Sequence, residues 1–143
     1  MRVRVAGLLR VSCSILLVEH EKAGRAYWLL PGGGVRAGER AADALRRELR
    51  EELSVDCDVK ELLFVVETIG DGGNHLIQAT YEIEVPDATR LRIGEDRRVR
   101  RFGFFGEGEL EPLDIYPDIK SELRGFLKNG TLTDRYLLKR WIQ

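Results

Sequence analysis

Two cysteines in 143 residues, Cys13 and Cys57, are too few for a disulfide framework or a thiolate metal site. Both lie in apolar, strand-like surroundings and read as small buried thiols. No apolar run approaches the ~20 residues that span a bilayer. No charge of one sign dominates either, since 23 Lys and Arg face 24 Asp and Glu. A global field that would gather polymeric nucleic acid or a membrane surface is therefore absent. The opening, MRVRVAGLLRVSCSILLVEH, is interrupted by Arg10 and is followed by no convincing cleavage site, so it reads as strand and the protein as cytoplasmic. Repeats, low-complexity segments and linkers are also missing. What remains is the composition of an ordinary soluble globule, 43% hydrophobic and 33% charged. Residues 1–143 read as one α/β domain.

The chain is organised around the stretch from Leu30 to Val55, LPGGGVRAGERAADALRRELREELSV. A proline and three glycines favour a turn. A helix is expected next, from about Arg40 to Leu53, because Ala42, Leu45, Leu49 and Leu53 recur at three- and four-residue intervals and share a face. Glu48, Glu51 and Glu52 are interleaved with them at i, i+3 and i+4, so all three carboxylates project from neighbouring points. Like charges so placed repel. Arg47 offsets part of that by pairing with Glu51, and a hard divalent cation offsets more, because Mg²⁺ and Mn²⁺ prefer carboxylate oxygens. A solvated acidic face is the plainer alternative.

Strands are expected over Val11–Val18, Ala26–Leu30, Cys57–Thr68, His75–Val85 and Arg97–Phe105. A turn centred on Gly24 separates the first two, with Tyr27 and Trp28 on opposite faces. Residues 70–74 form a loop, and Pro86 to Asp96 a polar connection. A second helix carries Ile119, Leu123, Phe126 and Leu127, with Pro117 near its start and Asn129-Gly130 at its end. Arg135 to Ile142 closes the chain as a strand or short helix. On the arginine-rich strand, arginines out and phenylalanines in is the ordinary arrangement, although Arg98 could meet a phosphate. Glu95 or Asp96 could complete a metal site from outside the helix. His75 reads as structural or solvent-facing, and Glu107, Glu109 and Glu111 as a solvated acidic patch.

The spacing Gly33-x5-Glu39-x7-Arg47-Glu48-Leu49-x-Glu51-Glu52-x-Ser54-Val55 resembles the Nudix box, the signature of hydrolases that cleave nucleoside diphosphates linked to another moiety. Only Ser54 departs from it, standing where the family has glycine. The resemblance implies the Nudix fold, a mixed β-sheet sandwiched between α-helices. It also implies a Mg²⁺ cofactor, with Mn²⁺ as a possible substitute, held by Glu48, Glu51 and Glu52 beside Gly33. Catalytic roles would fall to Glu51, Glu52, Arg47 and Glu39, with Arg47 orienting the glutamates and Glu39 tying the loop to the helix. Gly32 and Gly34 would approach the substrate, joined by Glu95 and Arg98 from outside the box. The partner implied is a small nucleotide: a triphosphate, a nucleotide sugar or a dinucleoside polyphosphate. A homodimer is compatible with it. A sensor module that binds nucleotide without hydrolysis is the alternative, and an isomerase of isoprenoid diphosphates fits the box less well. The proline and tyrosine that mark ADP-ribose and dinucleoside polyphosphate enzymes are missing from residues 70–73.

Overall fold

The computed structural model describes residues 1–140. Two sheets carry the fold. The first is a mixed five-stranded sheet in the order β5-β1-β7-β6-β9, built from β1 (Arg2–Leu8), β5 (Gly32–Gly34), β6 (Asp58–Ile69), β7 (His75–Glu84) and β9 (Tyr136–Arg140). β1 runs parallel to β7 and antiparallel to β5, and β6 pairs antiparallel with β7 and parallel with β9. The second sheet is centred on β3 (Ser14–Lys22), which pairs antiparallel with β2 (Arg10–Val11), β4 (Arg25–Leu29) and β8 (Arg101–Gly106).

Alternation along β3 explains how one strand serves two cores. Ile15 and Leu17 face a cluster with Leu8, Phe64, Trp28 and Leu123. Leu16 and Val18 face another with Val5, Leu45, Leu49 and Leu53. Helix α1 (Ala41–Leu53) covers the second cluster, and α2 (Lys120–Asn129) covers the first through Leu123, Phe126 and Leu127. Strands buried on both sides read as continuous apolar runs, as SILLV does. The expected layered sandwich is thus present, with its β layer divided into two sheets. Among the described residues no helix is long and apolar enough to cross a membrane.

Several boundaries differ from those expected. The strand expected over Val11–Val18 is broken at Ser12-Cys13, where Ser12 has φ 55°. That turn exposes Cys13, contrary to the reading of both thiols as buried. Cys57 is buried, and burial pushes its thiol up to about 11. The strand expected from Arg97 starts only at Arg101, because Asp96 accepts from the Arg98 backbone N–H (3.0 Å) and holds residues 97–98 in a turn. Phe102 and Phe104 do point inward toward α1, whereas Phe105 and Arg101 lie against Trp28 on the other face. The acidic patch is less free than expected: Glu107 and Glu111 both pair with Arg124 of α2. In the final segment β9 ends at Arg140, and Trp141 and Ile142 lie outside the described residues.

Ser54 closes α1 in the left-handed region, at φ 56° and ψ 36°, with its N–H donating to Arg50 O. A residue bearing a Cβ is strained there by about 1 kcal/mol, and glycine is not. Ser54→Gly is therefore expected to raise stability by several tenths of a kcal/mol or more, read as a higher urea midpoint at unchanged slope. A lower midpoint would mean that the serine side chain supplies something the backbone strain does not outweigh.

Candidate active site

The three box glutamates share a helix side but not an environment. Glu48 and Glu52 are 4% and 1% exposed, inserted between α1 and the glycine strand β5. The Gly32 N–H donates to Glu52 Oε1 at 2.8 Å, which leaves Glu52 Oε2 buried without a hydrogen-bond partner. Glu48 has the same asymmetry, since Oε1 accepts from Arg47 at 2.9 Å while Oε2 is buried and unpartnered. Glu51 remains 42% exposed and is held by Arg47 at 3.4 Å and Arg36 at 3.8 Å. Burial is the main cause that raises the Glu52 pKa, opposed by His20 and the Gly32 N–H.

The glycines make this possible by lacking a side chain. A Cβ on Gly33 would lie 2.3 Å from the Glu48 carboxyl carbon, and one on Gly32 only 2.0 Å from the Val5 carbonyl oxygen. Gly34 contributes its carbonyl, which accepts from Arg47 at 3.0 Å.

Arg47 is the hub. It forms a two-point pair with Glu39, both contacts 2.9 Å, while reaching Glu48, Glu51 and Gly34 with its remaining N–H groups. Glu39 also accepts from the Arg36 backbone N–H at 3.1 Å. These contacts lower the Glu39 pKa to about 2, with the Arg47 hydrogen bonds as the largest cause. A carboxylate with a depressed folded-state pKa stabilises the fold above its unfolded value, and that contribution disappears as pH falls through the folded one. Between pH about 4.5 and about 2 the wild type should therefore lose melting temperature more steeply than Glu39→Gln. Parallel melting curves for the two proteins would remove Glu39 from the acid response.

Two residues outside the box join the site that patterning alone did not single out. His20, 7% exposed, places Nε2 3.7 Å from Glu52 Oε2. Its signal was present in the sequence, because Leu16, Val18 and His20 alternate onto one face of β3. Arg4 on β1 lines the adjacent cavity, yet its Nε and Nη2 are buried without acceptors. Desolvation lowers its pKa, opposed by the charges of Glu52 and Glu48.

Arg98 also lines that cavity and is held by both oxygens of Asp96, at 3.1 and 2.8 Å. Glu95, by contrast, stays exposed on the loop. His75 reaches the cavity rim with Nε2 against Glu67, so it is structural and part of the wall together. The cavity measures about 780 Å³, and Gly34, His20, Tyr27, Leu29 and Leu76 also line it.

The donor set fits a hard divalent cation. Two buried carboxylate oxygens without partners, Glu48 Oε2 and Glu52 Oε2, lie beside a strand whose Gly33 leaves room for the Glu48 carboxylate. Among the described residues no cluster of three or more His, Cys, Asp or Glu is preassembled, and Arg47 occupies the space between Glu48 and Glu51.

Comparison with known proteins decides the family. The NUDIX domain model matches residues 1–126. The chain belongs to the Nudix family. In the nucleoside triphosphatase NudI of Salmonella heidelberg, 35% of 74 matched residues are identical, covering 47% of this chain and 52% of that protein. The solution structure of the E. coli ORF135 protein superposes with a TM-score of 0.74 at 25% identity, over 94% of this chain and 95% of that one. A MutT Nudix hydrolase from Burkholderia pseudomallei superposes with a TM-score of 0.67 at 29% identity, over 76% and 84%. The match spans only 13% of one curated relative's length and 52% of another's.

Proposed function

We propose that this Nudix chain is a Mg²⁺-dependent nucleotide pyrophosphohydrolase. It hydrolyses a phosphoanhydride in a nucleoside diphosphate linked to another moiety, such as a triphosphate, a nucleotide sugar or a dinucleoside polyphosphate. The observation that carries this reading is the pair of buried, unpartnered oxygens on Glu48 and Glu52 beside the glycine strand. The NudI name, nucleoside triphosphatase, supports a small nucleotide as substrate.

When bound, a divalent cation neutralises phosphate charge and lowers the pKa of a water. Glu48 and Glu52 hold that cation through the oxygens left free, with Glu51 able to join once released from its arginines. Arg47 fixes the Glu48 carboxylate and the Gly34 carbonyl relative to each other. The Gly32 N–H holds Glu52 by one oxygen and so fixes the direction of the other. A box carboxylate accepts the proton of the attacking water, whose oxygen bonds to phosphorus as the bridging P–O bond breaks. The bridging oxygen leaves on the second phosphate.

A panel of nucleoside triphosphates, nucleotide sugars, ADP-ribose and dinucleoside polyphosphates with Mg²⁺ in ¹⁸O-labelled water tests this. Triphosphates should give the nucleoside monophosphate plus diphosphate, and linked diphosphates two phosphorylated halves. Label should appear on a phosphate product and never on a sugar carbon. Release of inorganic phosphate alone would make the chain a terminal phosphatase instead, and no cleavage at millimolar Mg²⁺ would favour a binding module.

A further inference from the structure

The cavity beside the glutamates is lined by charge of one sign. Arg2, Arg4, Lys22 and Arg98 all face it, and no carboxylate lines it among the described residues. Arg98 is held by both oxygens of Asp96, and Glu67 engages His75 at the rim. The ladders show where the other cations lie. Arg4 pairs with Gly34 in the β1–β5 register, and Glu48 and Glu52 act on it, so it belongs to the glutamate end. Arg2 stands two residues further along the same face of β1, opposite Leu76 of β7. On the other sheet His20 lies against Glu52, and Lys22 stands two residues further along β3. Each step is about 7 Å. Burial falls along both strands, from Arg4 and His20 to the exposed Arg2 and Lys22. Two strands of different sheets thus each bring one cation to the outer end of a single cavity. The whole chain carries a net charge of only −1, so this excess is local, and a cleft of one sign concentrates ligands of the other.

We infer that Arg2 and Lys22 form a subsite for a second phosphate, one outside the anhydride held at the glutamates. The ligand class is a nucleotide with a further phosphate, carried on its ribose or in a longer phosphate chain. Arg2 donates through its planar fork to two phosphate oxygens, and Lys22 adds a compact charge from the other sheet. The subsite rests on the nucleotide reading above, and its test does not require turnover.

Binding of AMP, ATP and adenosine 3′,5′-bisphosphate is measured by calorimetry, in EDTA and again with Mg²⁺. In EDTA, wild type should bind ATP or the bisphosphate at least about tenfold tighter than AMP. A gain with the bisphosphate places the second phosphate on the ribose, and a gain with ATP alone places it in the chain. Arg2→Gln and Lys22→Gln should each cut that ratio to about threefold or less, whereas Arg2→Lys, which keeps the charge, should retain more of it. Raising KCl from about 50 mM to about 0.5 M should also shrink the ratio, as expected of charges open to water.

Equal or undetectable binding of the three ligands by wild type overturns the inference even if hydrolysis is observed. So does a preference that appears only with Mg²⁺, because the extra phosphate would then sit on the metal. A ratio unchanged in both glutamine variants overturns it as well. A preference in wild type that salt does not weaken does the same, and that measurement decides even where a variant folds poorly. A preference lost in the variants, with no hydrolysis of any substrate, would leave the subsite standing and remove the pyrophosphohydrolase.

Discussion

Glu52→Gln is expected to lower turnover at limiting Mg²⁺ by about a hundredfold or more, the size seen when a metal-held charge network is broken. The substitution keeps the side chain's shape, so the Gly32 N–H retains its acceptor. What disappears is the negative charge on the buried, unpartnered oxygen. Stability should not suffer. Burial raises the Glu52 pKa, which means the ionised form is disfavoured in the fold and its removal is relieving. Glu48→Gln should lose as much activity but melt slightly lower, because Arg47 exchanges an ionic partner for a neutral one. Rates with and without excess Mg²⁺, beside melting curves in EDTA, separate the two effects. Near-wild-type turnover in either variant would take the helix out of the mechanism.

The glycine strand allows a sharper contrast between two adjacent positions. In Gly33→Ala the new methyl meets the Glu48 carboxylate, 2.3 to 2.6 Å from its three terminal atoms. A side-chain end can swing away, so the fold should lose only about 1–3 kcal/mol. The carboxylate, however, is driven from its place, and turnover should fall about as far as in Glu48→Gln. In Gly32→Ala the methyl meets backbone, the Val5 carbonyl oxygen at 2.0 Å and the Ala6 Cα at 2.8 Å. Gly32 pairs with Ala6 in the β1–β5 ladder, so relief requires parting two strands. A loss of more than about 4 kcal/mol is expected, seen as failure to accumulate folded protein. An active Gly33→Ala enzyme would show that the Glu48 carboxylate need not occupy its observed position.

The box residues were legible because their spacing is local. Gly33, Glu39, Arg47 and the glutamates lie within one continuous stretch. It folds as the short strand β5 in place of the expected glycine turn, then a loop and one helix, so sequence distance maps directly onto space. Ser54 was legible in the same way, as the one box position where glycine is replaced, and its left-handed backbone is a finding of the structure. Spacing did not separate Glu51 from Glu48 and Glu52. Helical spacing sets direction from the axis, whereas burial depends on which strand packs there, and β5 covers two of the three. Arg4 and His20 were less legible for a related reason. Each comes from a strand far from the helix in sequence, and a cation among apolar alternation resembles an edge residue until both sheets close around it. Cys13 failed the other way, since an apolar-looking run concealed a two-residue turn.

The C-terminal end of α1 has a mechanical consequence. Its last carbonyls are taken by the segment before β8: Arg92 N–H donates to Leu53 O at 3.2 Å, Gly94 to Glu52 at 2.8 Å and Asp96 to Glu51 at 3.0 Å. The same segment leads through Asp96 to Arg98, on the cavity wall. Helix end and cavity wall are therefore linked like two arms of one lever, hinged on three amides. The three amides tie the turn carrying Glu51 and Glu52 to the loop that carries Arg98. Slower exchange of the Arg92, Gly94 and Asp96 amides when the cavity is filled is the expected result of that tie, and unchanged rates would mean that loop and helix end respond independently.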